Sequence, residues 1–287
     1  MARPSPDPLV MRPSGGLTVL PLATPTLPPA TATNTAFVGR EDVWVVDPAT
    51  PWDAPRAELL AAVRGLAGEG RSPRGIVLTH HHIDHVGGAA WLRAQTGLPI
   101  LAHAVTARLL GGALSVDREL AEGDVLAGSG ACDDQWHVLH TPGHAPGHIC
   151  LWEPSRRWLV AGDMVATVGT VLIAPPDGHM ATYLAQLARL AELAPERIFP
   201  AHGDVITDPV GRLRFYIAHR HEREARVLAA LDPREARDLA TLTEKSYPDV
   251  PRALHRLAAG SALAHLLKLE EDGRARRADP EHWVTAG

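Results

Sequence analysis

The chain has 287 residues, 45% hydrophobic and 21% charged, with a net charge of −5. That composition suits one large soluble domain, or a domain with a small appendage, and the acidic balance leaves any polyanion binding to a local basic face. Two cysteines, Cys132 and Cys150, exclude a disulfide framework or a cysteine-rich zinc module and read as core residues. No apolar run reaches the length of a membrane span or a secretory h-region, so the chain reads as cytoplasmic.

Residues 1–16, rich in Pro, Ser and Gly, read as a flexible arm. Strand-like runs follow at "LTVLPLA" (17–23), "NTAFVG" (34–39) and "DVWVVD" (42–47), parted by a Pro/Thr-rich loop and a turn. A helical segment over 52–70 leads into the strand "GIVLTH", and the helix "AAWLRAQTG" into the strand "PILAHA", a β-α-β alternation. Then "GDVLA", "DQWHVLHT", "HICLWEP" and "RWLVAGD" read as mostly antiparallel strands, followed by a helix over 183–195 and the strand-like "RIFPAHGD". From 209 the pattern turns helical, with a long amphipathic helix over 209–231, further helices over 235–272 and a short β-wing at the end. Two strand-rich halves with interposed helices predict two packed sheets covered by helices, not a doubly wound nucleotide-binding sheet, and no Gly-rich phosphate fingerprint follows any strand.

The stretch "LTHHHIDHVGG" (78–88) places four histidines and an aspartate in a strand-to-helix loop at the carboxyl edge of a sheet. Alternation along an extended chain would set His80, His82 and Asp84 on one side and His81 and Ile83 on the other, with His85 entering as the chain turns. Three more strand ends offer donors: His144 or His148 in "HTPGHAPGH", Asp163 in "LVAGD" and His202 in "IFPAHGD". Imidazoles and carboxylates without thiolate suit zinc, with manganese or iron also accommodated, and seven donors exceed one tetrahedral ion. Two divalent metal ions with Asp163 between them follow.

The ordered set "THHHIDH", "TPGH", "AGD" and "PAHGD" resembles the metallo-β-lactamase-fold hydrolase superfamily. The resemblance implies a four-layer αβ/βα sandwich with a dinuclear site at its edge. By position, His80, His82 and His144 would hold the first metal, Asp84, His85 and His202 the second, and Asp163 would bridge. His85 speaks against an antibiotic-hydrolysing member. The helix "YIAHRHEREARVLAAL" and the tail "YPDVPRALHRLAAGSALAHLLKLEEDGRARR" resemble the β-lactamase-like protein 2 branch, an endoribonuclease-type branch with a winged-helix-like C-terminal domain. The expected division is therefore an arm over 1–16, a catalytic domain over 17–208 and a helical winged-helix-like domain over 209–287.

A hydroxide generated between two metals would serve as nucleophile, with Asp84 orienting water or moving its proton; no serine-nucleophile elbow competes. His148, His179 and His219 are candidates for the leaving-group acid, each weighed against a packing or surface role. Tyr183 and Tyr216 read as helix-face packing residues that could reach the cleft rim. An ester, thioester or lactone is the expected small-molecule substrate. A phosphodiester in single-stranded nucleic acid is the alternative, drawn from the branch resemblance and from Arg212, Arg214, Arg220, Arg223, Arg226, Arg252, Arg256, Lys268, Arg274, Arg276 and Arg277. Interleaved Glu222, Glu224, Glu270, Glu271 and Asp272 give that stripe the look of a solvated face. A metal-binding sensor or regulatory module is the lesser alternative, and no sequence feature selects an oligomeric state.

Overall fold

A computed structural model describes residues 15–128 and 134–286. Most of the expected arm, and Cys132, lie outside the described residues. The chain forms two compact units: the first runs up to Thr141 and adds Gly147–Thr170 and Pro195–Pro209, and the second takes Pro142–Pro146, Val171–Ala194 and Val210–Gly287.

In the first unit, β1 (Leu17–Ala23), β2 (Ala32–Val38) and β3 (Asp42–Val46) form an antiparallel meander. Helix α1 (Asp53–Gly68) then crosses over to β4 (Ser72–Leu78), which pairs in parallel with β3. The short turn of helix α2 (Ile83–Val86) and helix α3 (Ala89–Thr96) lead to β5 (Ile100–His103), parallel to β4. Parallel neighbours need such crossovers, because a hairpin can only reverse the chain. Helix α4 (Ala104–Leu110) and β6 (Arg118–Leu120) complete a sheet of order β1-β2-β3-β4-β5-β6. These last two elements were not expected. Seven residues carry too little polar and apolar contrast to show a helical stripe, and a three-residue edge strand shows no alternation.

The second sheet, ordered β11-β10-β9-β8-β7, comprises β7 (Val125–Ala127), β8 (Gln135–His140), β9 (Ile149–Glu153), β10 (Trp158–Gly162) and β11 (Arg197–Pro200). Period-two alternation explains how one strand serves two cores. Val77 and Leu101 join Val19, Val38 and Val46 against Trp136, Val138, Leu151, Val160 and Phe199 between the sheets. On the other face, Ile76, Leu78 and Ile100 pack with Leu59, Val63 and Leu66 of α1 and Leu92 of α3. The expected sandwich class stands.

The second unit holds α5 (Met180–Glu192), most of α6 (Pro209–Ala230), β12 (Arg237–Asp238), α7 (Leu239–Ser246), α8 (His255–Glu271), β13 (Ala275–Arg277) and β14 (His282–Thr285). Asp238 caps α7 by accepting the Thr241 N–H at 2.7 Å. The strands form a small sheet of order β12-β14-β13, the expected wing, over a core of Val227, Leu242, Tyr247, Ala262, Leu266, Leu269 and Trp283.

One polar residue is at odds with this core. His265 is fully buried on α8, and neither ring nitrogen has a hydrogen-bond partner among the described residues. Burial, then the charges of Arg220 and Lys268, push its pKa down to about 3. The native state therefore refuses a proton that the unfolded chain takes up below about 6.5. Stability is intact above that pH and falls by about 1.4 kcal/mol per unit as pH drops from 6.5 toward 3. His265→Leu is expected to remove this loss and shift the acid-unfolding midpoint, followed by circular dichroism, to lower pH. An unchanged or raised midpoint would contradict the assignment of His265 as a neutral buried group.

Candidate metal centre

The site is built at the carboxyl ends of β4, β10 and β11. The chain does not stay extended past His82. His82 occupies the N-cap position of α2 with φ −65° and ψ 146°, and Asp84 and His85 fall within the following helical turn. The two-sided alternation expected for residues 80–84 therefore stops at His82, and a helical turn delivers Asp84 and His85. The His81 ring lies 4.8 Å from that of His82 and is partly exposed.

A buried carboxylate that the sequence did not single out organises this loop. Asp47, just after β3, has φ 51°, a left-handed conformation uncommon for a residue with a side chain. Its Oδ1 accepts the Thr79 N–H at 2.8 Å, and its Oδ2 accepts the Thr79 hydroxyl at 2.6 Å and the His85 Nδ1–H at 2.8 Å. With its proton spent on Asp47, the Thr79 oxygen accepts from His80 Nδ1 at 3.0 Å. Both imidazoles are thus fixed in the tautomer that carries the proton on Nδ1 and a lone pair on Nε2. His80 Nε2 lies 2.9 Å from His82 Nδ1.

Asp163 follows Gly162 at the end of β10. Gly162 has φ +48°, and a Cβ there would stand 2.5 Å from His148 Nε2, so only glycine fits. His148 is fully buried, bonded through Nδ1 to the Thr141 hydroxyl at 2.8 Å, and its Nε2 accepts the Asp163 N–H at 3.0 Å. It positions the Asp163 loop, so a role as leaving-group acid does not fit it. His202, after β11, donates from Nδ1 to the Ala32 carbonyl at 2.9 Å. Its loop is pinned to β2 by Asn34, whose side-chain amide donates to the carbonyls of Pro200 at 2.9 Å and Gly203 at 2.8 Å.

These anchors converge. Asp163 Oδ1 lies 3.5 Å from His85 Nε2 and 3.4 Å from His202 Nε2, and Asp84 Oδ2 lies 3.6 Å from His202 Nε2. Ligand atoms of His80, His85 and Asp163 lie within 4.8 Å of one another, as do those of Asp84, His85 and His202. His85 Nε2 is buried without a hydrogen bond among the described residues. Burial lowers the pKa of His85, but Asp163 and Asp47 outweigh it and hold the ring well above the ordinary value. A site that draws a proton onto a buried, otherwise unbonded nitrogen is one that a cation would satisfy, and oriented nitrogens with carboxylate oxygens suit a divalent ion. The donor set fits a metal.

His144 falls in the short segment of the second unit between β8 and β9, and its Nδ1 donates to the Leu172 carbonyl at 2.9 Å. In that unit His179 caps α5 and contacts Glu271 at 2.9 Å, and His219 stacks on Phe215. Tyr183 and Tyr216 are fully buried, the packing role expected of them. The arginine stripe is largely spent. Arg220 is buried, donates to the Val171 carbonyl and lies 5.6 Å over the Tyr183 ring. Arg223 and Arg226 pair with Asp249, Lys268 and Arg274 with Glu224, and Arg277 with Glu270.

Comparison with known proteins gives the family. Residues 28–202, which include all seven expected ligands, match the metallo-beta-lactamase superfamily model, and residues 239–283 match the beta-lactamase associated winged helix domain. The chain is 30% identical over 225 residues to a beta-lactamase-like protein 2 homolog of Drosophila melanogaster, covering 73% of each chain. An atrochrysone carboxyl ACP thioesterase of a Cryptosporiopsis species is 29% identical over 168 residues, which are 58% of this chain and 48% of that protein. A metallo-beta-lactamase family protein of Thermus thermophilus superposes with a TM-score of 0.75 at 25% identity, covering 94% of this chain and 98% of that one. No helix among the described residues is long and apolar enough to cross a membrane. The chain belongs to the metallo-beta-lactamase superfamily, hydrolases that bind metal ions, and carries a beta-lactamase associated winged helix domain.

Proposed function

We propose that the protein is a dinuclear-metal-dependent hydrolase of a carboxylic ester, thioester or lactone. His80, His82 and His144 would hold one ion, Asp84, His85 and His202 the other, with Asp163 shared and zinc the metal that the donor set favours over manganese or iron. The observation that carries this reading is the locked tautomer of His80, His85 and His202: each commits its Nδ1 proton to a protein oxygen and turns Nε2 to the site. When bound, divalent ions supply Lewis acidity toward the scissile carbonyl and a water acidic enough to attack at neutral pH. The chain's own residues do the rest. Asp84, whose carboxylate is partly exposed beside His202, orients the attacking water and takes its proton, while Asp47 and His148 hold ligand loops against drift.

An acyl substrate is favoured over a phosphodiester because Arg223, Arg226, Lys268, Arg274 and Arg277 are paired with acids, Arg220 is buried, and the chain carries a net charge of −5. The thioesterase named among its relatives accords with this choice. The deciding measurement is a panel: metal-loaded protein against an acyl thioester, a lactone, a phosphodiester reporter and single-stranded RNA, at low and high salt. Turnover of the thioester or lactone, barely moved by salt, is the expected result. Cleavage of RNA alone, falling steeply with ionic strength, would transfer the protein to the phosphodiesterases.

A further inference from the structure

Strands β5 and β8 each end in a histidine at the edge where β4 delivers the metal loop. Leu78 pairs with Ala102 in parallel register, so His103 stands opposite Thr79, about 5 Å away across the ladder. On the other sheet His140 pairs with Ile149, whose N–H donates to the Thr79 carbonyl at 2.9 Å. Leu101, Trp136 and Val138 belong to the core between the sheets, and by alternation His103 and His140 prolong that face to its end. There the two rings stack, with centroids 4.0 Å apart and planes 10° from parallel. The pair lies one strand beyond the His80 loop, inside the same unit.

The donor that His103 offers is fixed. Its Nδ1 accepts the Val105 N–H at 3.2 Å, which puts the proton of the neutral ring on Nε2. Burial, then the neighbouring His140 and Arg108, lowers its pKa, so this neutral form prevails. Arg108, exposed on α4, makes no ion pair among the described residues. Glu122, the nearby acid, has one carboxylate oxygen on the His140 N–H at 2.7 Å. The α4 turn cannot drift: Thr106 Oγ1 donates to the Gly147 carbonyl at 2.9 Å, and a Cβ on Gly147 would stand 2.5 Å from the Thr106 nitrogen.

A fixed N–H donor, a stacked aromatic face behind it and an unspent guanidinium one turn on match an oxyanion better than a neutral group. We infer that His103, held by His140 and assisted by Arg108, recognises a carboxylate or phosphate that the substrate carries away from the bond cut. This rests on the reading of the neighbouring centre as hydrolytic and narrows its substrates to anionic esters or thioesters. His103 is here a specificity-determining residue.

His103→Phe keeps a ring against His140 and deletes the donor. With a succinyl thioester (carboxylate on the acyl side) and an acetyl phosphopantetheine thioester (phosphate on the thiol side) as arms, KM is expected to rise about tenfold or more in whichever arm carries the recognised anion. The same should hold for Arg108→Gln, with kcat within about threefold, metal content unchanged and KM for an uncharged butyryl thioester unmoved. Equal effects on charged and uncharged substrates, or none, would overturn the inference. Should the parent protein hydrolyse none of these, the hydrolase reading fails by itself. The subsite is then judged by titrating succinate and inorganic phosphate into metal-loaded protein and following the His103 ring resonances by NMR. A shift that Arg108→Gln abolishes supports the subsite, and its absence removes it.

Discussion

Replacing His85 with alanine is expected to take bound metal below one equivalent per chain and to reduce hydrolysis by about a thousandfold or more, the scale of losing the nucleophile's activation. His85 belongs to two of the candidate ligand groupings. It stands with His80 and Asp163 in one and with Asp84 and His202 in the other. Its removal also leaves Asp47 and Asp163 facing a void with their shared partner gone, at a cost of about 3–5 kcal/mol for a broken buried pair. That cost could unfold the chain, so His202→Ala is the companion variant. His202 is anchored by a hydrogen bond to the Ala32 carbonyl, and its loss opens the site while Asp163 still faces His85 and Asp84 is partly exposed. Elemental analysis of the purified variants, with circular dichroism as the check on folding, reads the result. A folded His202→Ala protein with full metal content and parental turnover would refute the centre described above.

How much of this was legible depends on whether a signal is local in the chain. The run 17–23 reads as a strand because Leu17, Val19 and Leu22 are buried around a continuous apolar stretch, and β1 occupies those same residues. Donors in "HHHIDH", "AGD" and "PAHGD" were visible because each ends a strand, where the backbone must leave the sheet and side chains gather at an edge. Asp47 was not, for one aspartate closing "VVD" looks like any strand terminator. Its role depends on β4 lying beside β3, a pairing no short window contains. The same limit hid the fate of the arginines. The interleaved acids read as a solvated face, and Arg226 does pair with Glu222 one turn away, while Asp249 and Val171 come from segments distant in sequence. His265 sits in "SALAHLLKL", where apolar neighbours on both sides are the signature of a buried helix, so its burial was readable although its unbonded ring was not.

Asp47→Asn should lower metal affinity by about 10–100-fold while leaving every proposed ligand in place. The carboxylate accepts three bonds, from the Thr79 N–H, the Thr79 hydroxyl and His85 Nδ1–H. An amide has one oxygen and one NH2, so either orientation sets two donors face to face. If the NH2 turns to His85, the ring must flip its tautomer and carry a proton on Nε2, the nitrogen required as ligand. If it turns to the Thr79 N–H, the backbone that launches the metal loop loses its anchor, and His80 moves with it. Asp47 is a positioning residue, so the variant's deficit should appear as weaker metal binding in competition with a chelator. Turnover should recover substantially when metal is supplied in excess, a recovery that His202→Ala cannot show because its ligand is gone. A variant with parental metal affinity would mean that the fixed tautomer of His85 is dispensable, and an unrecoverable loss would place Asp47 in the reaction itself.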